Sequence, residues 1–282
     1  MNTYTDILNA LRDIEKQEGQ LIDSVKLYQC LVEHQSKAYS HCSTSETIPP
    51  SIVSSRLAEG FPALTFEDLK LKWEDVQALC SKVTDTVFEH YPSIANRTLI
   101  DITCTRSTIQ QWYNNSSLVF NNHHNVQEAL LNSLIQFTIE PFLSVYVREL
   151  VPLINQEQWR RRECPICGSK PDFAFLDKDN GARWLLCSRC NMEWLFQRIE
   201  CPSCGTQNNK SLSYFTDDVG LYRLYVCEEC KSYLKAIDLR QIDSKALFPL
   251  TKLATKQMDN QARSMGYQPI SSVIFFDHIS EM

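Results

Sequence analysis

The chain has 282 residues, 43% of them hydrophobic, with 28 Lys+Arg against 34 Asp+Glu and a formal net charge of −6. The apolar fraction excludes wholesale disorder, and the length suits two domains or one domain with appended modules. The acidic balance argues against a general nucleic-acid binder, which carries a basic surplus.

The elements are predicted in chain order from hydrophobic periodicity. Ile7, Leu8, Leu11 and Ile14 mark a first amphipathic helix, and the pattern resumes at Leu21, Val25, Tyr28 and Val32. The stretch 43–55 reads as a Ser/Thr/Pro loop, with Pro49-Pro50 interrupting any helix. A helix is predicted over 65–91 from Leu69, Trp73, Val76, Leu79, Val83, Val87 and Phe88. Thr65 and Asp68 supply its N-terminal cap signature and Pro92 its stop. Residues 94–118 hold one or two shorter helices. A further run starts at Val126 and passes through Leu130, Leu134 and Ile135 toward Leu143, with Pro141 expected to break or kink it.

Both charge and pattern change near residue 155. Residues 1–154 carry 11 Lys+Arg against 18 Asp+Glu, and the remainder 17 against 16. Short β-type runs at 173–176, 183–186 and 221–226 then alternate with cysteine turns. A closing helix carries Leu250, Leu253, Ala254 and Met258, with Pro249 in its first turn and Gly266 as its stop. The expected fold is α+β. An all-helical domain fills 1–158, two tandem rubredoxin-like, zinc-ribbon-like modules fill 159–197 and 198–243, and a C-terminal helix and tail fill 244–282. No basic start followed by an apolar stretch begins the chain, and no run nears the ~18–20 consecutive apolar residues of a membrane helix. A cytoplasmic protein without membrane insertion is expected.

Of the 12 cysteines, eight form C-x-x-C pairs: Cys164/Cys167, Cys187/Cys190, Cys201/Cys204 and Cys227/Cys230. In a reducing compartment such pairs read as metal ligands or redox centres rather than disulfides. Two intervening residues let both sulfurs of a turn point at one ion, and a tetrahedral thiolate site needs two such turns. Gly168 and Gly205 follow the second cysteine of the first and third turns, where positive φ is often required. The two halves repeat: Cys164-Pro165-Ile166-Cys167-Gly168 matches Cys201-Pro202-Ser203-Cys204-Gly205, and Arg183-Trp184-Leu185-Leu186-Cys187 matches Arg223-Leu224-Tyr225-Val226-Cys227. The repeat favours consecutive sets, Cys164/Cys167/Cys187/Cys190 and Cys201/Cys204/Cys227/Cys230. A cross-brace of turns one with three and two with four also satisfies the count. Two tetrahedral ions are expected, and the spacing accepts iron or zinc.

The remaining features carry less. Arg160-Arg161-Arg162 reads as a solvated linker, a partner of the acidic helical half, or a phosphate contact. His123-His124 reads as polar loop, and a His34–His41–Cys42 cluster is a weak metal candidate. Cys30, Cys42, Cys80 and Cys104 share no ligand spacing and read as reduced core residues. No nucleophile elbow, phosphate loop or HExxH motif is present, so no catalytic or cofactor-binding residue is assigned.

The run Cys-Pro-Ile-Cys-Gly-Ser-Lys-Pro (164–171), then Arg-Trp-Leu-Leu-Cys-Ser-Arg-Cys-Asn-Met-Glu-Trp (183–194), Cys-Pro-Ser-Cys-Gly (201–205) and Cys-Glu-Glu-Cys-Lys-Ser-Tyr-Leu-Lys (227–235) resembles the FdhE family of formate dehydrogenase accessory proteins. Gly266-Tyr267 resembles the family's ending, while Pro249-Leu250-Thr251-Lys252 departs from its acidic helix start. The resemblance implies a cytoplasmic, non-enzymatic maturation or chaperone factor that contacts the catalytic subunit of formate dehydrogenase. It also implies that the eight paired cysteines are metal ligands, with iron the suggested ion. A homo-oligomer stays open, and nucleic acid is not an expected partner. The competing readings are a redox protein acting through an iron site and a nucleic-acid-binding zinc ribbon.

Overall fold

The computed structural model of the chain describes residues 3–18, 21–42, 48–92, 104–115, 126–243 and 245–271. Among them the helices are α1 (Thr3–Glu18), α2 (Asp23–His41), α3 (Pro50–Glu59), α4 (Trp73–His90), α5 (Arg106–Asn115), α6 (Val126–Leu150), α7 (Phe248–Ala254) and α8 (Lys256–Ser264). The strands are β1 (Pro171–Leu176), β2 (Arg183–Cys187), β3 (Glu193–Phe196), β4 (Leu212–Thr216), β5 (Tyr222–Cys227), β6 (Ser232–Asp238) and β7 (Gln268–Pro269). The chain divides into two compact units. One draws its described residues from Met1–Thr47 and Phe66–Arg148, the other from Ile48–Thr65 and Glu149–Ser271. The expected α+β character, helices first and a cysteine-bearing sheet after, is what the chain adopts.

The first unit is helical. The predicted apolar stripes are buried as Ile7, Leu8 and Leu11 on α1, Leu27, Leu31 and Val32 on α2, and Val76, Leu79, Val83 and Val87 on α4. Ile14, which continues the α1 spacing, is exposed. Each fully buried Leu or Val contributes about 1.5–3 kcal/mol. α6 is buried nearly all round, as a central helix should be, with Leu130, Leu134, Ile135, Ile139 and Leu143 buried along with the polar Asn132, Ser133, Gln136 and Thr138. A stretch over 128–153 is long and apolar enough on average to cross a membrane, though polar residues interrupt it throughout, and 78% of its apolar window is buried inside the protein.

Three local expectations change. The helix predicted from residue 65 starts at Trp73, after a 3-10 turn over Phe66–Asp68. The Lys70 amide between them donates to the Tyr146 hydroxyl at 2.7 Å instead of to a helical carbonyl. Pro49-Pro50 opens a helix rather than a loop, because Pro50 occupies the first turn, where no amide donor is needed. Pro141 lies inside a continuous α6. It removes the donor for the carbonyl four residues back, Phe137, and the Gln35 side chain supplies one at 2.9 Å.

The second unit is built on a seven-stranded sheet ordered β3-β2-β1-β6-β5-β4, with β7 added to β6. Each repeat forms a three-stranded antiparallel meander. The meanders join edge to edge through a parallel pair, β1 with β6, which sets Phe173 opposite Lys235 and Phe175 opposite Ile237. The sequence repeat is therefore a translation along one sheet. One face carries Phe173, Phe175, Leu186 and Ile237, against which Phe248 of α7 packs. The same face continues through Leu224, Val226 and Tyr233 to Ala262 of α8 and Tyr267.

Buried charge fixes these helices to the sheet. Lys235 on β6 pairs with Asp259 of α8 at 2.6 Å and donates to the carbonyls of Lys252 and Thr255. The Tyr233 hydroxyl donates to the same Asp259 at 2.8 Å. Lys252 is buried and pairs with Asp172 of β1 at 2.7 Å. Burial holds the Lys235 ammonium below its ordinary range, against the pull of Asp259.

Candidate metal centres

The eight paired cysteines converge in two consecutive sets. The four sulfurs of Cys164, Cys167, Cys187 and Cys190 lie within 4.8 Å of one another, as do those of Cys201, Cys204, Cys227 and Cys230. In the first set Cys164 and Cys190 are 3.7 Å apart and Cys167 and Cys187 3.4 Å. In the second, Cys201–Cys230 is 3.7 Å and Cys204–Cys227 is 3.8 Å. A tetrahedron with metal–sulfur bonds of about 2.3 Å has edges of about 3.8 Å, so each set fits one zinc- or iron-sized ion. The cross-braced grouping is not what the fold assembles.

Local backbone explains the convergence. In each repeat one turn precedes the first strand, and the other lies between the second and third strands. Each turn ends in a left-handed residue directly after its second cysteine: Gly168 at φ 73°, Asn191 at 55°, Gly205 at 81° and Lys231 at 53°. The amides of Gly168, Asn191 and Gly205 close their turns onto the carbonyls of Cys164, Cys187 and Cys201 at 2.9–3.2 Å. Further amides aim at sulfur, Arg189 N–H at Cys187 and Ser203 N–H at Cys201, both 3.4 Å. Glycine marked two of the turns in the sequence. Asn191 and Lys231, the non-glycine residues with positive φ among those described, carried no such mark.

The two sets differ in environment. All four sulfur-bearing residues of the first are buried, and Arg189, itself buried, donates to the Cys167 carbonyl at 3.1 Å. A guanidinium there offsets the excess negative charge of four thiolates around a divalent ion. At the equivalent place the second set has Glu229, and its Cys204 is exposed. Burial pushes the Cys164 and Cys190 thiols well up. Cys167 is raised by burial too, but hydrogen bonds from the other three thiols and the charge of Arg189 bring it well below its ordinary range. In the second set burial raises Cys201 and Cys227. Cys230, against its own partial burial, is brought down to about 6 by the Ser232 hydroxyl and amide and by neighbouring sulfurs.

The other sequence candidates fall elsewhere. Among the described residues no further group of three or more Cys, His, Asp or Glu side chains has metal-binding geometry. His34 bonds Thr86 at 3.1 Å and His41 the Lys37 carbonyl at 2.6 Å, so no His34–His41–Cys42 cluster forms. His123-His124 lies outside the described residues. Cys30 and Cys42 are free thiols, both raised by burial, Cys42 to about 11. Cys80 and Cys104, expected to be reduced, are joined as a disulfide. The arginine triplet is engaged within its own unit. Arg160 pairs with Glu157, Arg161 lies 5.5 Å over Trp159, and Arg162 donates to the Ser203 carbonyl at 2.8 Å.

Comparison with known proteins agrees with this architecture. The family model described as "FdhE, central domain" matches residues 163–198, which contain the first cysteine set. A protein FdhE homolog of Aquifex aeolicus is 29% identical over 220 residues, covering 76% of this chain and 74% of that one. A homolog of Shewanella oneidensis is 33% identical over 150 residues, covering 51% of this chain and 49% of the relative, so the match spans about half that protein's length. The crystal structure of the FdhE protein from Pseudomonas aeruginosa superposes with a TM-score of 0.62 over 97% of this chain and 94% of that one, at 18% identity.

Proposed function

We propose that the chain, similar to FdhE proteins in its cysteine region and over most of its length to one FdhE homolog, is a cytoplasmic accessory protein for formate dehydrogenase maturation or assembly, one that binds the enzyme's immature catalytic subunit. The observation that carries this reading is the tandem pair of four-sulfur sets on one continuous sheet, the first of them within the residues that match the family model. On this reading Cys164, Cys167, Cys187 and Cys190 hold one ion, and Cys201, Cys204, Cys227 and Cys230 another. Four protein sulfurs per ion leave no open coordination position, which favours an organising role over substrate turnover. The left-handed residues aim the sulfurs, Arg189 balances charge at the first set, and Lys235 and Tyr233 lock the closing helices onto the sheet that carries both. Anaerobic co-purification tests the reading: a complex with a formate dehydrogenase catalytic subunit is expected, and its clean absence under mild conditions contradicts it.

A second reading rests on the exposure of Cys204. When bound, iron in a four-thiolate site supplies one-electron exchange, and an exposed edge gives a partner access to it. Reversible reduction of bound iron supports this role, and a protein that carries only zinc in the cell excludes it.

A further inference from the structure

A pocket of about 480 Å3 opens against the second cysteine set, with Cys201 and Cys227 in its wall. Its floor is a cross-strand row, Tyr214, Tyr225 and Leu234, on the sheet face away from α7 and α8. The two tyrosine rings lie 5.5 Å apart. Three arginines complete the wall: Arg183, Arg198 and Arg223. Arg183 and Arg223 occupy the matching positions of the two repeats.

Hydrogen-bonding capacity in this wall is left unused. Arg183 is only 3% exposed. Its Nη2 donates to the carbonyls of Gln197 and Glu200, its Nε has no hydrogen-bond partner, and no carboxylate ion-pairs with it among the described residues. Arg223 pairs with Asp238 at 2.7 Å, but Arg240 shares that carboxylate at the same distance, and the Arg223 Nε is also unpartnered. Arg198 is exposed at the rim. The negative groups facing them are the thiolates of the second set, with Cys201 and Cys227 in the same wall, and the rim carboxylate Glu200, which accepts from Gln207. Two guanidinium Nε groups buried without an acceptor favour a carboxylate oxygen from outside.

Beside the pocket runs β4, the outer edge of the sheet, with four of its five residues exposed. Exposed edges are ordinarily guarded by charge, proline or a bulge, and the sequence Leu-Ser-Tyr-Phe-Thr has none. Tyr214 and Phe215 are exposed on it, and Ile199 and Val219 are exposed in the connections nearby. We propose that the β4 edge and this pocket together bind an extended polypeptide segment with alternating acidic and apolar residues, added as an outer strand with its carboxylates toward the arginines. The inference rests on the reading of the chain as a protein that holds a client polypeptide. A free small anion would use the arginines but leave the backbone edge unused. An added strand uses both, because alternate side chains fall on the pocket face and the main chain pairs with β4.

The test uses the full-length metal-loaded chain and fluorescence anisotropy of a fluorescein-labelled peptide of repeated Asp-Val units. A Lys-Val peptide and an Asp-Val peptide N-methylated at alternate amides are the controls. Saturable, salt-sensitive binding of the acidic peptide alone is expected. Arg198→Glu, an exposed change, should weaken it by about fivefold, and Tyr214→Ala should weaken it without loss of bound metal. Absence of binding, equal binding of the basic peptide, equal binding of the N-methylated peptide, or displacement by inorganic phosphate overturns the proposal. Co-purification separates the two claims. If the Arg198→Glu/Tyr214→Ala chain retains the catalytic subunit at the wild-type level, the docking surface is wrong and the accessory role stands. If the wild-type chain binds the acidic peptide but never the catalytic subunit, the accessory role is wrong and the surface stands.

Discussion

The Gln35 side-chain amide donates at 2.9 Å to the carbonyl of Phe137, four residues before Pro141, which has no amide to give it. A proline inside a helix costs about 3 kcal/mol, partly through that lost hydrogen bond. Here a neighbouring helix returns the bond, and α6 runs through. Gln35→Leu removes this bond and the one to Glu140, and should therefore destabilise the chain by about 1–3 kcal/mol. In a Pro141→Ala background, where a helical amide is restored, most of that cost should vanish. Urea unfolding of the four chains in a double-mutant cycle measures the coupling.

The disulfide between Cys80 and Cys104 closes a loop of 24 residues. For that loop length its loss should cost about 3 kcal/mol. Cys80→Ala/Cys104→Ala should thus lower stability by about that amount under oxidising conditions and by much less in excess dithiothreitol. Equal loss in both solvents would assign these residues to packing alone.

The two cysteine sets should release metal unequally. The first is buried throughout and has Arg189 beside it, whereas the second exposes Cys204 and has Glu229 at the equivalent place. Challenge with a chelator such as EDTA should remove metal in two phases, and thiol alkylation should reach Cys204 during the first. One phase with simultaneous labelling of Cys167 and Cys204 would show that the sets are equivalent.

Lys235 and Asp259 form a buried pair at 2.6 Å. Lys235→Met leaves Asp259 uncompensated and should cost about 3–5 kcal/mol. Lys235→Met/Asp259→Leu should recover most of it, as read from thermal unfolding. If the double variant is no more stable than the single, the contacts of Lys235 with the carbonyls of Lys252 and Thr255 carry the effect instead.

Legibility in the sequence followed how local each cause is. The cysteine turns were readable because two intervening residues bring both sulfurs to one point, and the repeat then chose the consecutive grouping. Strands β1, β2 and β5 were readable from apolar runs. β6 was hidden because Lys235 and Asp238 are buried by ion pairing, which erases the polar–apolar alternation. The edge strand β4 is hardly buried and left no pattern. The continuity of α6 depends on Gln35, 102 residues before Phe137, and the disulfide on cysteines 24 apart, so neither had a local signal. Asn191 and Lys231 stand where glycine would have announced the turn.

The most direct test of the two-site account is metal analysis of anaerobically purified double variants. The wild-type chain should hold two ions. Cys167→Ser/Cys187→Ser removes two ligands from one consecutive set and should leave one ion, whereas Cys167→Ser/Cys204→Ser takes one ligand from each set and should leave none firmly held. The reverse outcome, none for the first variant and one for the second, would contradict the consecutive grouping, and a wild-type chain without two ions would contradict the metal centres altogether.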